Sequence, residues 1–456
     1  MPIILNGLAI FRREDRGRPP RIAGVVTGPT VLVRLVMRIF EGIEVHPGVR
    51  DARDEFEGVM VLTLAERSSL IAPSATLAMA GEAKRLKSEG VDVLDFALGE
   101  PDFNTPENIQ EAAIRAMKAG HTHYTPPAGI PELKQALAEH YTKKIGLPTQ
   151  PAQILISNGA KHSIHNALMA VCGPGDEVII PAPYWVSYAD LVKLTGAVPV
   201  VVETTEEEGF KLSPEKFLAA VTPRTRLLMI NSPSNPTGVV YDRAELEALA
   251  DAVLTTKAGV LSDEIYEQLT YGDAKPTCFA TLRPGLAERT ITISGVSKTY
   301  AMTGWRIGWA IAPAPVAKFM GDLQSQETSN PCSVSQYAAL EAVVGPQDSV
   351  RAMLGEFTKR RAYVLERIER LPGVTCVPPG GAFYAFMNVS SHFGRTLGGR
   401  KIEDSTSFCV TALASAHVAM VMGSAFGTEG YARLSFATDL KTLERGFDAL
   451  EGFLKG

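Results

Sequence analysis

SGVSKTYAMTGWRIGWA, residues 294–310, decides how the rest of the chain is read. It continues a short run of β-branched residues, 290–294, that reads as a strand. Just past that strand stands one lysine, Lys298, followed by Ala301, Met302, Gly304, Trp305 and Ile307. A lone lysine is ordinarily a surface charge. In so compact and apolar a neighbourhood the ammonium is expected to be desolvated, its pKa lowered and its amine turned into a nucleophile towards aldehydes. Arg306 lies eight residues on. Read as a buried arginine, it requires an anion, and a phosphate would serve.

Working outward, short apolar runs alternate with helical stretches. Runs at 154–157, 177–180, 226–231, 259–262 and 307–311 join 290–294. The alternation predicts an α/β architecture built on a mostly parallel sheet. Helices are predicted over 75–88, 131–145 and 349–370, and over 106–119 with Thr105 as N-cap and Pro106 at the first helical position. Residues 91–98 read as a strand ending at Gly99. Polar punctuation recurs after the strands, at 158–161, 184–185, 235–238, 263–266 and 294–298. In an open α/β sheet ligands sit beyond the carboxyl ends of the strands, so five strands would aim Trp, Tyr, Asn, Asp and Lys at one crevice. Solvated loops are the bland alternative.

Composition narrows the function. With 456 residues, 45% of them hydrophobic, the chain can bury a large core in two or three domains. The net charge of -5 comes with no basic tract, which gives nucleic-acid binding no support. No apolar run is long enough to span a bilayer. Cys172, Cys278, Cys332, Cys376 and Cys409 lack metal-ligand spacing and read as reduced thiols, which favours a cytoplasmic location and no metal. Residues 1–59 contain arginine but no lysine, are weakly patterned, and hold too many acids for a transit peptide. They are expected to be an extension upstream of a natural start at Met60.

Several other motifs accompany Lys298. YTPPAGIPELK (124–134), PYWVSY (183–188), SPSNPTG (232–238) and SDEIYE (262–267) precede SGVSKTYAMTGWRIG in that order. Alone, NPTG reads as a turn, Asp263 as a helix cap and Trp185 equally well as a core tryptophan. Together, the motifs resemble those of fold-type-I, class I aminotransferases, which use pyridoxal 5′-phosphate. The resemblance extends from Ser69 to the C-terminus and is greatest to the bacterial branch that includes aspartate/prephenate aminotransferases. It implies a large domain with a mostly parallel seven-stranded sheet between helices, and a smaller α+β domain. Residues 60–104 would then form an N-terminal arm and part of the small domain, 105–345 the large cofactor-binding domain, and 346–456 the rest of the small domain.

The resemblance also implies roles. Lys298 carries the cofactor; Asp263 pairs with its pyridinium nitrogen and so makes the ring an electron sink. Tyr266 and Asn235 bond the ring's phenolic oxygen, and Trp185 stacks on the ring. The turn Ser157–Lys161, with Gly159, Ala160 and Lys161, offers backbone N–H groups and a helix N-terminus to the phosphate, joined by Ser297 and Arg306. Arg433 grips the substrate α-carboxylate. Lys161 and Thr76 meet a distal carboxylate, and Gly99 borders the substrate. Tyr124 reaches the phosphate of a neighbouring subunit, which requires a homodimer with shared active sites. The expected reaction is transamination between an amino acid and a 2-oxo acid, with glutamate/2-oxoglutarate as one pair and aspartate or prephenate/arogenate in the other. The chain departs from the pattern at Gly295, where serine is expected, and at His162 and His165. A lyase or an aromatic aminotransferase on the same fold would share the cofactor residues, and fold alone would permit a non-enzymatic regulator.

Overall fold

The computed structural model describes residues 3–5, 8–10, 63–71 and 73–456. Apart from a short antiparallel pair, Ile3–Leu5 with Leu8–Ile10, the expectation for residues 1–59 lies outside the described residues. Residues Ala65–Gly456 form one compact unit.

Its centre is a seven-stranded sheet: β1 (Ile154–Ser157), β2 (Glu177–Ala182), β3 (Val198–Glu203), β4 (Thr225–Asn231), β5 (Gly259–Asp263), β6 (Thr290–Gly295) and β7 (Gly308–Ile311), in the spatial order β1-β7-β6-β5-β4-β2-β3. The pairs β2–β3, β2–β4, β4–β5 and β5–β6 are parallel. Only β7 runs antiparallel to both neighbours. Every residue of β1, β6 and β7 is buried, as befits a sheet covered on both faces. Alternate side chains serve the two faces: Leu155, Ile180, Met229 and Ile293 pack under Ile164, Leu168 and Met320, while Ile179, Leu228, Ile230 and Val260 pack under Phe217, Leu246 and Leu249. The edge strand β3 is half exposed and carries Pro199, which an edge tolerates because one side of the strand needs no donor.

A second, antiparallel sheet comprises β8 (Thr375–Cys376), β9 (Tyr384–Asn388), β10 (Val421–Met422) and β11 (Tyr431–Ser435), in the order β8-β9-β11-β10. Phe383, Phe386, Phe408, Phe426 and Phe447 fill its core beside the helix Asp348–Arg370. The two-residue strand Leu94–Asp95 pairs with Val418–Ala419, so the chain before Gly99 joins this part of the fold. The strand predicted over 91–98 shrinks to those two residues. The helix Ala75–Ser88 ends where its pattern ends. The helix predicted over 106–119 runs Glu107–Lys118 with Pro106 as its N-cap. Thr105 does not cap it, because its hydroxyl donates to the Ala301 carbonyl (2.8 Å) and accepts from the Trp305 indole (2.9 Å).

Candidate active site

The carboxyl ends of β1, β4, β5 and β6 open into a cavity of about 490 Å³, lined also by the segments around Thr76, Gly99, Tyr384 and Arg433. It gathers Thr76, Gly99, Ala160, Lys161, Trp185, Asn235, Asp263, Tyr266, Ser297, Lys298, Arg306 and Arg433 from parts of the chain far apart in sequence. Of the residues singled out from sequence, two stand apart from that lining. Gly159 lies behind Arg306. Tyr124 is 89% exposed and is not among the residues that line the cavity of its own chain.

Lys298 follows β6 directly, and its ammonium donates to the Gly99 carbonyl. Burial pulls its pKa down to about 8; Glu100 acts in the opposite direction, and Arg433 and Arg306 lower it further. Asp263 ends β5 and is 4% exposed. Burial pushes its carboxyl up to about 6, against the Tyr188 hydroxyl, which donates to Oδ2 at 2.6 Å, and the Ile265 N–H, which donates to Oδ1 at 3.2 Å. The cavity thus holds an acid and a base that both titrate near neutrality, a pattern concentrated at functional sites.

Arg433, in the middle of β11, is 1% exposed. It donates to Asn235 Oδ1 (2.9 Å) and to the Ala97 carbonyl (2.5 Å), and lies over the rings of Tyr384 and Phe426. Its Nε has no partner, and among the described residues no carboxylate neutralises it. A buried, unpaired guanidinium is costly. It is an arrangement suited to an incoming carboxylate, which the fork can meet with two parallel bonds. Lys161 stands at the opening of the helix Ala160–Val171 with its ammonium 4.8 Å from the Trp185 ring centre. Burial, then Arg306, lowers its pKa.

The turn between β1 and that helix is built by close approach. Gly159 has a φ of +87°, and a Cβ there would meet Arg306 Nη2 at 2.4 Å; a Cβ on Gly308 would meet the Ala160 nitrogen at 2.2 Å. Glycine is required at both positions. Arg306 itself adopts a φ of 55°, unusual for a side-chain-bearing residue, and donates to the Thr303 carbonyl at 2.8 Å. It is exposed, which corrects the reading of a buried arginine. Its charge meets solvent and the cavity together because the tight turn at 303–306 brings it out past the sheet. Gly295 has a structural reason: a Cβ there would lie 2.9 Å from Gly308 Cα, so a side chain would force β6 and β7 apart.

Three further residues of the site carry no signal strong enough to single them out from sequence. Tyr188 holds Asp263, as above; it is the last residue of PYWVSY, the motif already singled out for Trp185. Tyr384 places its hydroxyl 2.7 Å from that of Tyr266 and its ring against Arg433. Asn231 donates to the Asp263 carbonyl and accepts from the Asn235 N–H, each at 2.8 Å, and so ties the ends of β4 and β5. Its place as the last polar residue of a predicted strand is the one hint the sequence offers.

A lysine with a lowered pKa, a buried carboxyl and three further cations that have no carboxylate partner among the described residues, gathered at the strand ends, suit a cleft for small anionic molecules. The chain belongs to the aminotransferase class I and II family, whose model matches residues 91–450. It is 46% identical to an aspartate aminotransferase of Geobacillus stearothermophilus over 394 residues, 86% of this chain and 99% of the relative. It is equally similar, 46% over 395 residues with the same coverage, to an aspartate/prephenate aminotransferase of Cereibacter sphaeroides. The solved structure of the Thermus thermophilus aspartate aminotransferase with maleate superposes with a TM-score of 0.81 at 40% identity, covering 86% of this chain and all of that one. The chain is therefore an aminotransferase with the expected α/β fold. No helix among the described residues is long and apolar enough to cross a membrane.

Proposed function

We propose that the enzyme moves an amino group between a dicarboxylic amino acid and a 2-oxo acid using pyridoxal 5′-phosphate held at Lys298. The observation that carries this reading is the convergence, in one cavity, of a lysine with its pKa drawn down to about 8 and a buried arginine lacking any carboxylate among the described residues. The residues fit the cofactor. The helix Ala160–Val171 offers the free N–H groups of its first turn to the phosphate, with Ser297 and Arg306 beside it. Asp263 would hold the protonated ring nitrogen, and Tyr266 and Asn235 the phenolic oxygen. When bound, the cofactor supplies an aldehyde and an electron-withdrawing ring that makes a substrate Cα–H bond acidic.

The chain's own residues do the rest. Arg433 orients the α-carboxylate. Lys298, with its pKa drawn down to about 8, would be basic enough to take the Cα proton and weak enough to return it. Lys161, beside Thr76 and Trp185, receives a second carboxylate; the similarity to an enzyme solved with maleate, a dicarboxylate, supports this. Aspartate fits such a site, and prephenate brings two carboxylates as well. Tyr124, exposed and not part of the lining of its own cavity, would complete the site of a second copy in a cytoplasmic homodimer. The test is a transamination assay with 2-oxoglutarate against aspartate, aromatic amino acids and arogenate, together with borohydride reduction and mass mapping of the cofactor. Retention of the cofactor at a lysine other than Lys298 would overturn the reading.

A further inference from the structure

His162 and His165 replace the residues expected after Lys161, and the structure gives them a shared partner. They lie three apart on one face of the helix Ala160–Val171. His162 Nε2 and His165 Nε2 each stand 3.2 Å from an oxygen of the same carboxylate, Glu327, the last residue of the helix Ala314–Glu327. A carboxylate at a helix C-terminus is disfavoured by the helix dipole, and two imidazoles offset that. The other nitrogen of His162 faces the opposite way. Its Nδ1 is 3.3 Å from the backbone N–H of Asn158, with the Asn158 side-chain amide also turned towards it. The same amide donates to Thr328 Oγ1 at 3.0 Å. A ring nitrogen facing two donors must accept, which fixes the tautomer: Nε2 carries the proton and donates to Glu327.

We infer that His162 is a positioning residue for the phosphate-binding turn, which it holds against the helix Ala314–Glu327 only while its imidazole is neutral. The geometry resembles a capping box, in which the third residue of a helix reaches back to a backbone N–H at its start. Here that N–H belongs to Asn158, next to Gly159. A proton on Nδ1 would turn the acceptor into a donor aimed at another donor. The charged groups facing this ring are Glu327 and His165, with Lys161 and Arg306 near the turn. Burial lowers the pKa of His162, with Glu327 opposing, so the neutral form is the resident one at pH 7. As pH falls below about 6.5, the unperturbed value, protonation releases the turn and the anion held there binds more weakly.

The inference rests on the proposed cofactor site and is tested with pyridoxamine 5′-phosphate, which binds the whole enzyme without a covalent bond to Lys298. Its dissociation constant is measured by fluorescence from pH 5.5 to 8 for wild type, His162→Asn and His162→Phe. Asparagine keeps an acceptor near the Nδ1 position and does not titrate; phenylalanine keeps the ring and loses both bonds. Subtraction of the His162→Asn curve removes the titration of the phosphate itself. The expected result is that wild type loses up to about tenfold more affinity than His162→Asn between pH 7.5 and 5.5, and that His162→Phe binds roughly tenfold more weakly than wild type at pH 7.5, a gap that narrows as pH falls. Parallel curves for wild type and His162→Asn would overturn the inference while leaving the cofactor site intact. Failure of wild type to bind at pH 8 would overturn both.

Discussion

Arg433→Leu is the perturbation that most directly tests how the cleft grips its substrate. The guanidinium is 1% exposed, donates to Asn235 Oδ1 and the Ala97 carbonyl, and is sandwiched by Tyr384 and Phe426. A leucine would keep the apolar packing and remove the fork. Truncating one member of a buried, hydrogen-bonded charge pair costs about 2–5 kcal/mol, so kcat/KM should fall roughly 30- to 5,000-fold. The fall should be alike for every amino donor, because each carries an α-carboxylate. Stability should change little: two carbonyl oxygens lose a donor, at about 1–3 kcal/mol each, but burial of an unpaired cation is relieved. Arg433→Lys, which keeps charge but not the planar fork, should fall between wild type and leucine. The assay is steady-state transamination with aspartate and phenylalanine at saturating 2-oxoglutarate, alongside thermal melts. A kcat/KM within threefold of wild type, with the protein folded, would refute the assignment.

Lys161→Gln should lower kcat/KM for aspartate by at least tenfold more than for phenylalanine; an equal fall, with weaker cofactor binding, would show that this lysine serves the phosphate. Tyr188→Phe removes the 2.6 Å bond to Asp263, worth about 1.5–3 kcal/mol to a charged acceptor, and should cut kcat roughly 10- to 100-fold with little change in KM; an unchanged kcat would count against Asp263 as the ring-nitrogen partner. In the cofactor-free protein Lys298 has a pKa of about 8 when folded, against 10.5 when free. The unfolded chain therefore binds more protons between these values, and stability gains from this group as pH rises from about 8 to 10.5. Melts of wild type and Lys298→Met should accordingly converge over that range, and a constant gap would contradict the depressed pKa. A chain beginning at Met60 should keep the activity and melting temperature of the full one, as activity assays and melts would show.

The strands were legible wherever a buried apolar run met polar punctuation, because a sheet covered on both faces leaves little freedom in what its strands contain. Thus 154–157 and 226–231 fall within a residue of β1 and β4. The edge strand β3 carries no such signal, since its outer face is exposed and Pro199 sits inside it. The lowered pKa of Lys298 is legible from its apolar surroundings, yet the exposure of Arg306 is not. Nothing local reports that a left-handed residue turns the chain outward. Tyr384 and Tyr188 reach the site through contacts spanning 118 and 75 residues, which no periodicity records. Thr105 is not the helix cap its position suggests for the same reason: its hydroxyl is claimed by Ala301 and Trp305, some two hundred residues away.

The charge on the cavity wall explains why these parts belong together. Lys161, Lys298, Arg306 and Arg433 face Glu100 and Asp263, so four cationic side chains meet two carboxyls. One of those carboxyls, Asp263, has its pKa raised to about 6 by burial, and Glu100 is bonded to Thr303. The balance of these groups is positive; Glu100 raises the pKa of Lys298, and Arg433 and Arg306 push it down. Each anion that enters reverses part of that push. A phosphate at the turn and a carboxylate at Arg433 would raise the proton affinity of the Lys298 amine, the base proposed above. The same two anions would disfavour ionisation of Asp263, but a cationic ring nitrogen beside it would restore the carboxylate. Substrate binding and the readiness of the base are thus coupled through the field of the cavity, and a donor lacking its α-carboxylate should lose turnover as well as affinity.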